Sequence, residues 1–198
     1  MEKKISFSSD SLQIEGLISE AGQDKGVVIT HPHPHYGGDM NNIVVYTIKE
    51  AYHSCGYTTL RFNFRGTGGS DGSFEDGKGE REDVKSAISY LKDLGIKTIH
   101  LAGYSFGTWV NSMADTKVDE LLMVAPPVDF ITFQKELKLP LLKLIISGSD
   151  DEFASKVTLE RAAKEWNENV KLIFINSCDH FFSSSLDILK DLIVKNLK

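Results

Sequence analysis

The chain has 198 residues, 41% of them hydrophobic, which is enough for the core of one folded domain spanning residues 1–198. Its 22 basic and 28 acidic residues give a net charge of −6, which excludes a basic surface for nonspecific nucleic-acid binding. The sequence contains neither a signal-peptide core nor an apolar stretch long enough to cross a bilayer. We therefore expect a soluble, cytoplasmic protein with no nucleic-acid and no membrane partner.

The first predicted element is an antiparallel hairpin, with β patterns at 5–7 and 12–18 on either side of a polar turn. We expect this hairpin at one edge of a sheet. Short apolar runs without polar alternation then alternate with helical patterns, which favours a mostly parallel sheet covered by helices. These runs lie at 27–29, 60–64, 99–102, 121–125, 142–146 and 172–175.

The predicted helices have recognisable ends. Asn41 or Asn42 can cap a helix that runs to Cys55, with Gly56 as its stop. Apolar residues at helical spacing predict a second helix over 80–94, ended by Gly95. Ser184 or Ser185 can cap a last helix that ends near Leu197, and the glycine-rich stretch 66–79 is interpreted as a long loop.

A G-x-S-x-G sequence at 103–107 directly follows the predicted strand 99–102 and precedes a helical pattern at 108–114. This strand, sharp turn and helix are the context in which such a sequence holds a nucleophilic serine. We therefore predict Ser105 as a nucleophile, with the backbone amide of Phe106 facing a developing oxyanion.

A serine nucleophile needs a base, and the base needs a group that fixes its tautomer. His180 follows the last predicted strand, and two carboxylates, Asp150 and Asp151, follow the strand before it. Both loops lie at the carboxyl edge of the sheet, where open α/β folds place their sites. The chain order Ser, Asp, His is the one described for α/β-hydrolases.

A histidine-rich loop follows the predicted strand 27–29. Alternating His31, His33 and His35 suggest an alternative function, a metal-dependent hydrolase. An H-x-H-x-D-H pattern fails here, however, because its fifth and sixth positions are His35 and Tyr36, and no H-E-x-x-H occurs. We favour a second oxyanion donor in this loop, the amide of His33, and no metal.

Taken together, the chain resembles the small capless α/β-hydrolases, a group of predicted serine hydrolases and dienelactone-hydrolase-like proteins. The resemblance rests on residues 31–34 with 36–38, 61–66, 103–107 and 179–182. It implies an α/β-hydrolase fold with a mixed, mostly parallel eight-stranded sheet, helices on both faces and no cap. It also implies a triad of Ser105, Asp151 and His180, esterase-type activity and no cofactor. Asp151 is preferred over Asp150 because similar hydrolases place the acid three residues after the glycine that ends this strand.

The predicted function is hydrolysis of a small-molecule carboxylic ester or thioester through an acyl-enzyme on Ser105. The segment 126–141 is too short for a helical cap, so we expect an open site with Tyr36 and Phe181 contacting the substrate. Further candidate walls are Trp109, Val128, Phe130 and Phe182. A catalytically silent binding module is a third possibility, and the sequence leaves open a monomer or a homodimer.

Overall fold

The computed structural model describes residues 2–22 and 24–197, and within them an eight-stranded sheet. The strands are Lys3–Ser9 (β1), Leu12–Ser19 (β2), Lys25–Thr30 (β3), Thr58–Phe62 (β4), Thr98–Tyr104 (β5), Glu120–Val124 (β6), Leu142–Gly148 (β7) and Lys171–Ile175 (β8). Their order in the sheet is β1-β2-β4-β3-β5-β6-β7-β8. Pairing is antiparallel for β1 with β2 and β2 with β4, and parallel for all the others. The mixed, mostly parallel sheet with a hairpin edge is confirmed.

Five α-helices cover the two faces of the sheet in the described ranges. They are Ile43–Ser54 (α1), Lys78–Asp93 (α2), Phe106–Met113 (α3), Lys156–Trp166 (α4) and Leu186–Leu197 (α5), with a 3₁₀ turn at Pro34–Tyr36. Apolar residues of α2, α3 and α4 pack on one face of the sheet, in a core that includes Val28 of β3. Apolar residues of α1 and α5 pack on the other face, in a core that includes Val27 and Ile29 of the same strand. Successive strand residues point to opposite faces, so the continuous apolar runs fill both cores.

The structure corrects two details of the predicted elements. The strand expected over 60–64 ends at Phe62, because the backbone N–H of Phe64 donates to the His31 side chain at 3.0 Å instead of to a neighbouring strand. Asn42, rather than Asn41, caps α1, since its side chain accepts a hydrogen bond of 2.9 Å from the Val44 amide.

Loops at the carboxyl ends of the parallel strands determine the shape of the candidate site. Between β6 and β7, residues 126–141 contain neither helix nor strand, so no cap covers this edge of the sheet. Among the described residues, no helix combines the length and apolar composition required to cross a membrane.

Candidate active site

Ser105 lies in the sharp turn between β5 and α3. Its backbone has φ 52° and ψ −120°, a strained conformation for a residue with a side chain. A Cβ atom at Gly103 or Gly107 would lie 2.8 or 2.5 Å from the Thr30 hydroxyl oxygen, so the turn packs on β3 only with glycine at both positions. The Ser105 amide donates to the Val124 carbonyl at 3.0 Å, which ties the turn to β6.

The structure brings Ser105, His180 and Asp151 into one hydrogen-bonded series. His180 Nε2 lies 2.9 Å from Ser105 Oγ, and His180 Nδ1 lies 2.9 and 3.0 Å from the two carboxylate oxygens of Asp151. The Asp151 side chain is fully buried and that of His180 is 5% exposed. A base in hydrogen-bond reach of a hydroxyl, itself oriented by a buried carboxylate, is the arrangement that can activate a serine.

Two further groups hold the Asp151 carboxylate. The Ser147 hydroxyl donates to one oxygen at 3.2 Å, and the Phe153 amide donates to the other at 2.8 Å. The neighbouring Asp150 is exposed and accepts a 2.7 Å hydrogen bond from the Ser149 hydroxyl. Of the two adjacent carboxylates, only that of Asp151 reaches the imidazole of His180.

The His180 imidazole is held in place by groups that the sequence analysis did not identify. The Tyr104 hydroxyl donates to the His180 carbonyl at 3.2 Å, and the two rings lie 5.5 Å apart. The Phe153 ring meets the imidazole edge-on at 4.7 Å. Tyr104 is the first variable residue of the G-x-S-x-G sequence, but the motif alone does not say where its hydroxyl points.

The two predicted oxyanion donors, the amides of Phe106 and His33, belong to residues that line the same cavity as Ser105. Phe106 is the first residue of α3, a position whose N–H has no partner within the helix. Neither amide donates a hydrogen bond to any other group in residues 2–22 and 24–197. The rings of the two residues pack together at 4.7 Å, and Gly38 donates to the His33 carbonyl at 3.1 Å, which fixes the loop.

The geometry of the histidine loop gives no support to the alternative of a metal-dependent hydrolase. His31 Nδ1 lies 2.6 Å from the Pro32 carbonyl and its Nε2 accepts from the Phe64 amide, so backbone groups occupy both nitrogens. His33 Nδ1 accepts from the His35 amide at 3.2 Å. Among the described residues no group of three or more His, Cys, Asp or Glu side chains is arranged to hold a metal ion.

His31 should make stability depend on pH. Complete burial lowers the pKa of its imidazole to about 4, from 6.5 for an exposed group. The unfolded chain therefore binds this proton first as the pH falls, and the free energy of unfolding should drop by about 3 kcal/mol between pH 6.5 and 4. Denaturant titrations at several pH values should show the free energy of unfolding of the wild type falling, relative to His31→Gln, by about 1.2 kcal/mol more per pH unit near pH 5. Equal slopes would contradict a neutral, buried His31.

A cavity of about 350 Å³, here called the Ser105 cavity, opens in front of Ser105 and His180. It is lined by Pro32, His33, Tyr36, Gly37, Gly38, Asn42, Tyr104, Ser105, Phe106, Pro127, Phe130, Ile131, Phe153, His180 and Phe181. The predicted contacts Tyr36 and Phe181 line it while remaining 75% and 55% exposed, as an open cleft requires. Neither Lys nor Arg occurs among these described lining residues.

Three other candidate walls, Phe182, Val128 and Trp109, are not among the residues that line the Ser105 cavity. Phe182 is fully buried and packs edge-on against Tyr104. Val128 packs against the core that contains α2 and α3, and Trp109 lines a neighbouring cavity. Aromatic and branched residues near a site are as readily used for core packing, which the sequence alone does not distinguish.

Comparison with known proteins adds to this geometry. The model of the X-Pro dipeptidyl-peptidase (S15) family matches residues 19–175, which is most of the chain. The chain belongs to this family of α/β-hydrolases. The capless α/β-hydrolase resemblance and the fold expected from it are confirmed, and the protein is a hydrolase.

This chain is similar in sequence to an uncharacterized protein of Rickettsia prowazekii, RP471, with 33% identity over 195 residues, covering 90% of this chain and 82% of the relative. The mitochondrial palmitoyl-protein thioesterase ABHD10 of Homo sapiens is 30% identical over 167 residues. That match covers 80% of this chain but 51% of ABHD10, so the chain spans about half of the thioesterase's length.

Among solved structures, XC6422 of Xanthomonas campestris, described as an α/β serine hydrolase without lid, superimposes with a TM-score of 0.91. It is 26% identical, and the match covers 99% of this chain and 93% of XC6422. The absence of a lid in XC6422 agrees with the segment 126–141 of this chain, which connects β6 to β7 without forming a cap.

Proposed function

We propose that this S15 family member hydrolyses carboxylic esters or thioesters of small molecules through an acyl-enzyme on Ser105. The observation that carries the proposal is the hydrogen-bonded series from Ser105 Oγ through His180 to Asp151, with both links near 2.9 Å. This series stands at the wall of a largely apolar cavity large enough for a small acyl substrate.

In the first half-reaction Ser105 Oγ attacks the acyl carbon while its proton moves to His180 Nε2. Asp151 keeps the other nitrogen protonated and stabilises the imidazolium that forms. Collapse of the tetrahedral intermediate breaks the bond to the alcohol or thiol, which leaves with the proton from His180. Water then attacks the acyl-enzyme with His180 again as base, releasing the carboxylic acid and restoring the Ser105 hydroxyl.

The oxyanion of each tetrahedral intermediate would accept from the amides of Phe106 and His33. Each such donor is typically worth about 3 kcal/mol of transition-state stabilisation. A side-chain substitution leaves the backbone N–H donors in place. A variant can therefore weaken this stabilisation only by changing the shape of the histidine loop.

Ester and thioester substrates are proposed from the apolar cavity and from the relatives. ABHD10 is named a palmitoyl-protein thioesterase, whereas the family name describes a dipeptidyl-peptidase. A panel separates these chemistries: 4-nitrophenyl butyrate, S-butyryl-N-acetylcysteamine and Ala-Pro-4-nitroanilide, each assayed in EDTA buffer. We expect hydrolysis of the ester and the thioester despite EDTA. Cleavage of the anilide alone, or activity only after metal addition, would contradict the proposal.

Acyl chain length should have little influence on the rate. In an uncapped site the far end of a growing chain stays in water and forgoes the ~0.8 kcal/mol per methylene that burial supplies. From about four to about twelve carbons, full burial would add roughly 6 kcal/mol. We therefore expect kcat/KM for 4-nitrophenyl esters to rise less than about tenfold, or to fall, across this range. A rise of several thousandfold would indicate a closed acyl tunnel.

A further inference from the structure

A second cavity of about 160 Å³, here called the side lobe, adjoins the Ser105 cavity. The side lobe is lined by His33, Tyr36, Phe74, Asp76, Phe106, Trp109, Phe130 and Ile131. Five of these eight residues also line the Ser105 cavity: His33, Tyr36, Phe106, Phe130 and Ile131. The side lobe is therefore the space next to the Ser105 cavity towards which part of a bound substrate would extend.

Aromatic rings form most of the side lobe. The Phe106 ring lies 5.8 Å from that of Phe74 and 5.5 Å from that of Trp109. The Trp109 indole is fixed by its N–H, which donates to the Thr132 carbonyl at 3.0 Å. The faces of such rings carry partial negative charge and attract cations, particularly alkylammonium groups.

Asp76 is the only carboxylate among the described lining residues. It is exposed, and it makes no hydrogen bond or ion pair with another residue of the described chain. The turn that carries it, with φ 51° at Asp76 and 84° at Gly77, packs on the Trp109 ring. Gly77 leaves no room there for a Cβ atom, so the turn packs closely on the indole, and Asp76 and Trp109 line the same side lobe.

No fixed positive charge opposes this carboxylate in the described lining. Lys and Arg are absent from it, and His33 is the one imidazole among the described lining residues, while the His35 ring packs on Phe74 at 4.5 Å. Burial and the neighbouring His35 lower the pKa of His33, although Asp76 acts in the opposite direction. The His33 Nδ1 atom accepts a hydrogen bond, which fits the neutral ring. The side lobe therefore has a negative charge without a partner.

The position of His180 indicates which part of a substrate reaches the side lobe. The leaving group receives its proton from His180 and so departs on the His180 side. His180, Phe153 and Phe181 line the Ser105 cavity but not the side lobe. The acyl group, which lies on the other side of the reacting carbon, is the part directed towards Asp76.

From this arrangement we infer that the side lobe binds a cationic alkylammonium group on the acyl part of the substrate, held by the Asp76 carboxylate and the rings around it. The inference rests on the proposed acyl hydrolysis at Ser105 and narrows it to esters and thioesters of ammonium-bearing acids.

Two matched substrates test the charge alone. The 4-nitrophenyl esters of 4-(trimethylammonio)butanoate and 5,5-dimethylhexanoate have the same shape and differ in a charged nitrogen or a neutral carbon. We expect kcat/KM to favour the cationic ester by about tenfold. In Asp76→Asn this ratio should fall towards one. In Asp93→Asn, which removes an exposed carboxylate at the far end of α2, the ratio should stay at its wild-type value.

A binding measurement separates failure of the inference from failure of the proposed hydrolysis. Tetramethylammonium, added at constant ionic strength, should change tryptophan fluorescence saturably through Trp109. Trp109→Phe should remove the signal, and Asp76→Asn should weaken the apparent affinity several-fold. If neither ester is hydrolysed but the tetramethylammonium titration saturates, the side lobe binds ammonium groups as inferred and the proposed hydrolysis is contradicted. Equal kcat/KM for the two esters, or a fluorescence change that is linear in the wild type, overturns the inference.

Discussion

Asp151→Asn is expected to lower kcat about ten-thousandfold, while Asp150→Asn should change it only a few-fold. The Asp151 carboxylate accepts from His180 Nδ1 at 2.9 Å, whereas an amide there can present its N–H₂ group and favour the wrong imidazole tautomer. Asp150 contacts the Ser149 hydroxyl and is exposed. Initial rates on 4-nitrophenyl butyrate, with Tm values for both variants, measure the difference.

The adjacent position of these two residues makes Asp150→Asn a matched control for charge and for loop integrity. Equal losses in two folded variants would mean that the loop after β7 acts as a whole rather than through one carboxylate. A severe loss in Asp150→Asn alone would require the orienting acid to be Asp150, contrary to the geometry described above.

Ser105→Ala is expected to reduce kcat by about a millionfold, the scale seen when a triad serine is removed. Alanine occupies less space than serine and meets the same strain at φ 52°, so the Tm should stay within a few degrees of the wild-type value. Pre-steady-state assays with excess substrate should also lose the burst of 4-nitrophenol that marks acyl-enzyme formation. A folded variant with retained turnover would show that Ser105 is not the attacking group.

Local rules explain why much of the fold could be predicted from the sequence. Continuous apolar runs indicate strands buried on both faces, and glycines with positive φ at Gly56 and Gly95 follow α1 and α2 as predicted. The turn at Ser105 needs glycines on either side because β3 lies against it, and those glycines are visible in the sequence. Chain order after successive strands then placed His180 and Asp151 at the same edge.

Contacts between distant parts of the chain could not be predicted in this way. Helix α4 was not among the predicted helices, although Leu159, Ala163 and Trp166, its buried residues, recur at helical spacing. The early end of β4 depends on a hydrogen bond from Phe64 to a side chain 33 residues away. The direction of the Tyr104 hydroxyl likewise follows from tertiary packing, as does the side lobe beside Trp109.

The central claim is that Ser105 is a nucleophile activated by His180, and covalent labelling tests it most directly. A fluorophosphonate probe should modify the wild-type protein stoichiometrically, and peptide mass spectrometry should locate the adduct on Ser105. Folded Ser105→Ala should not react, and folded His180→Gln should react at least a hundredfold more slowly because it lacks the base. An adduct on another residue, or no adduct on folded wild-type protein, would contradict the account.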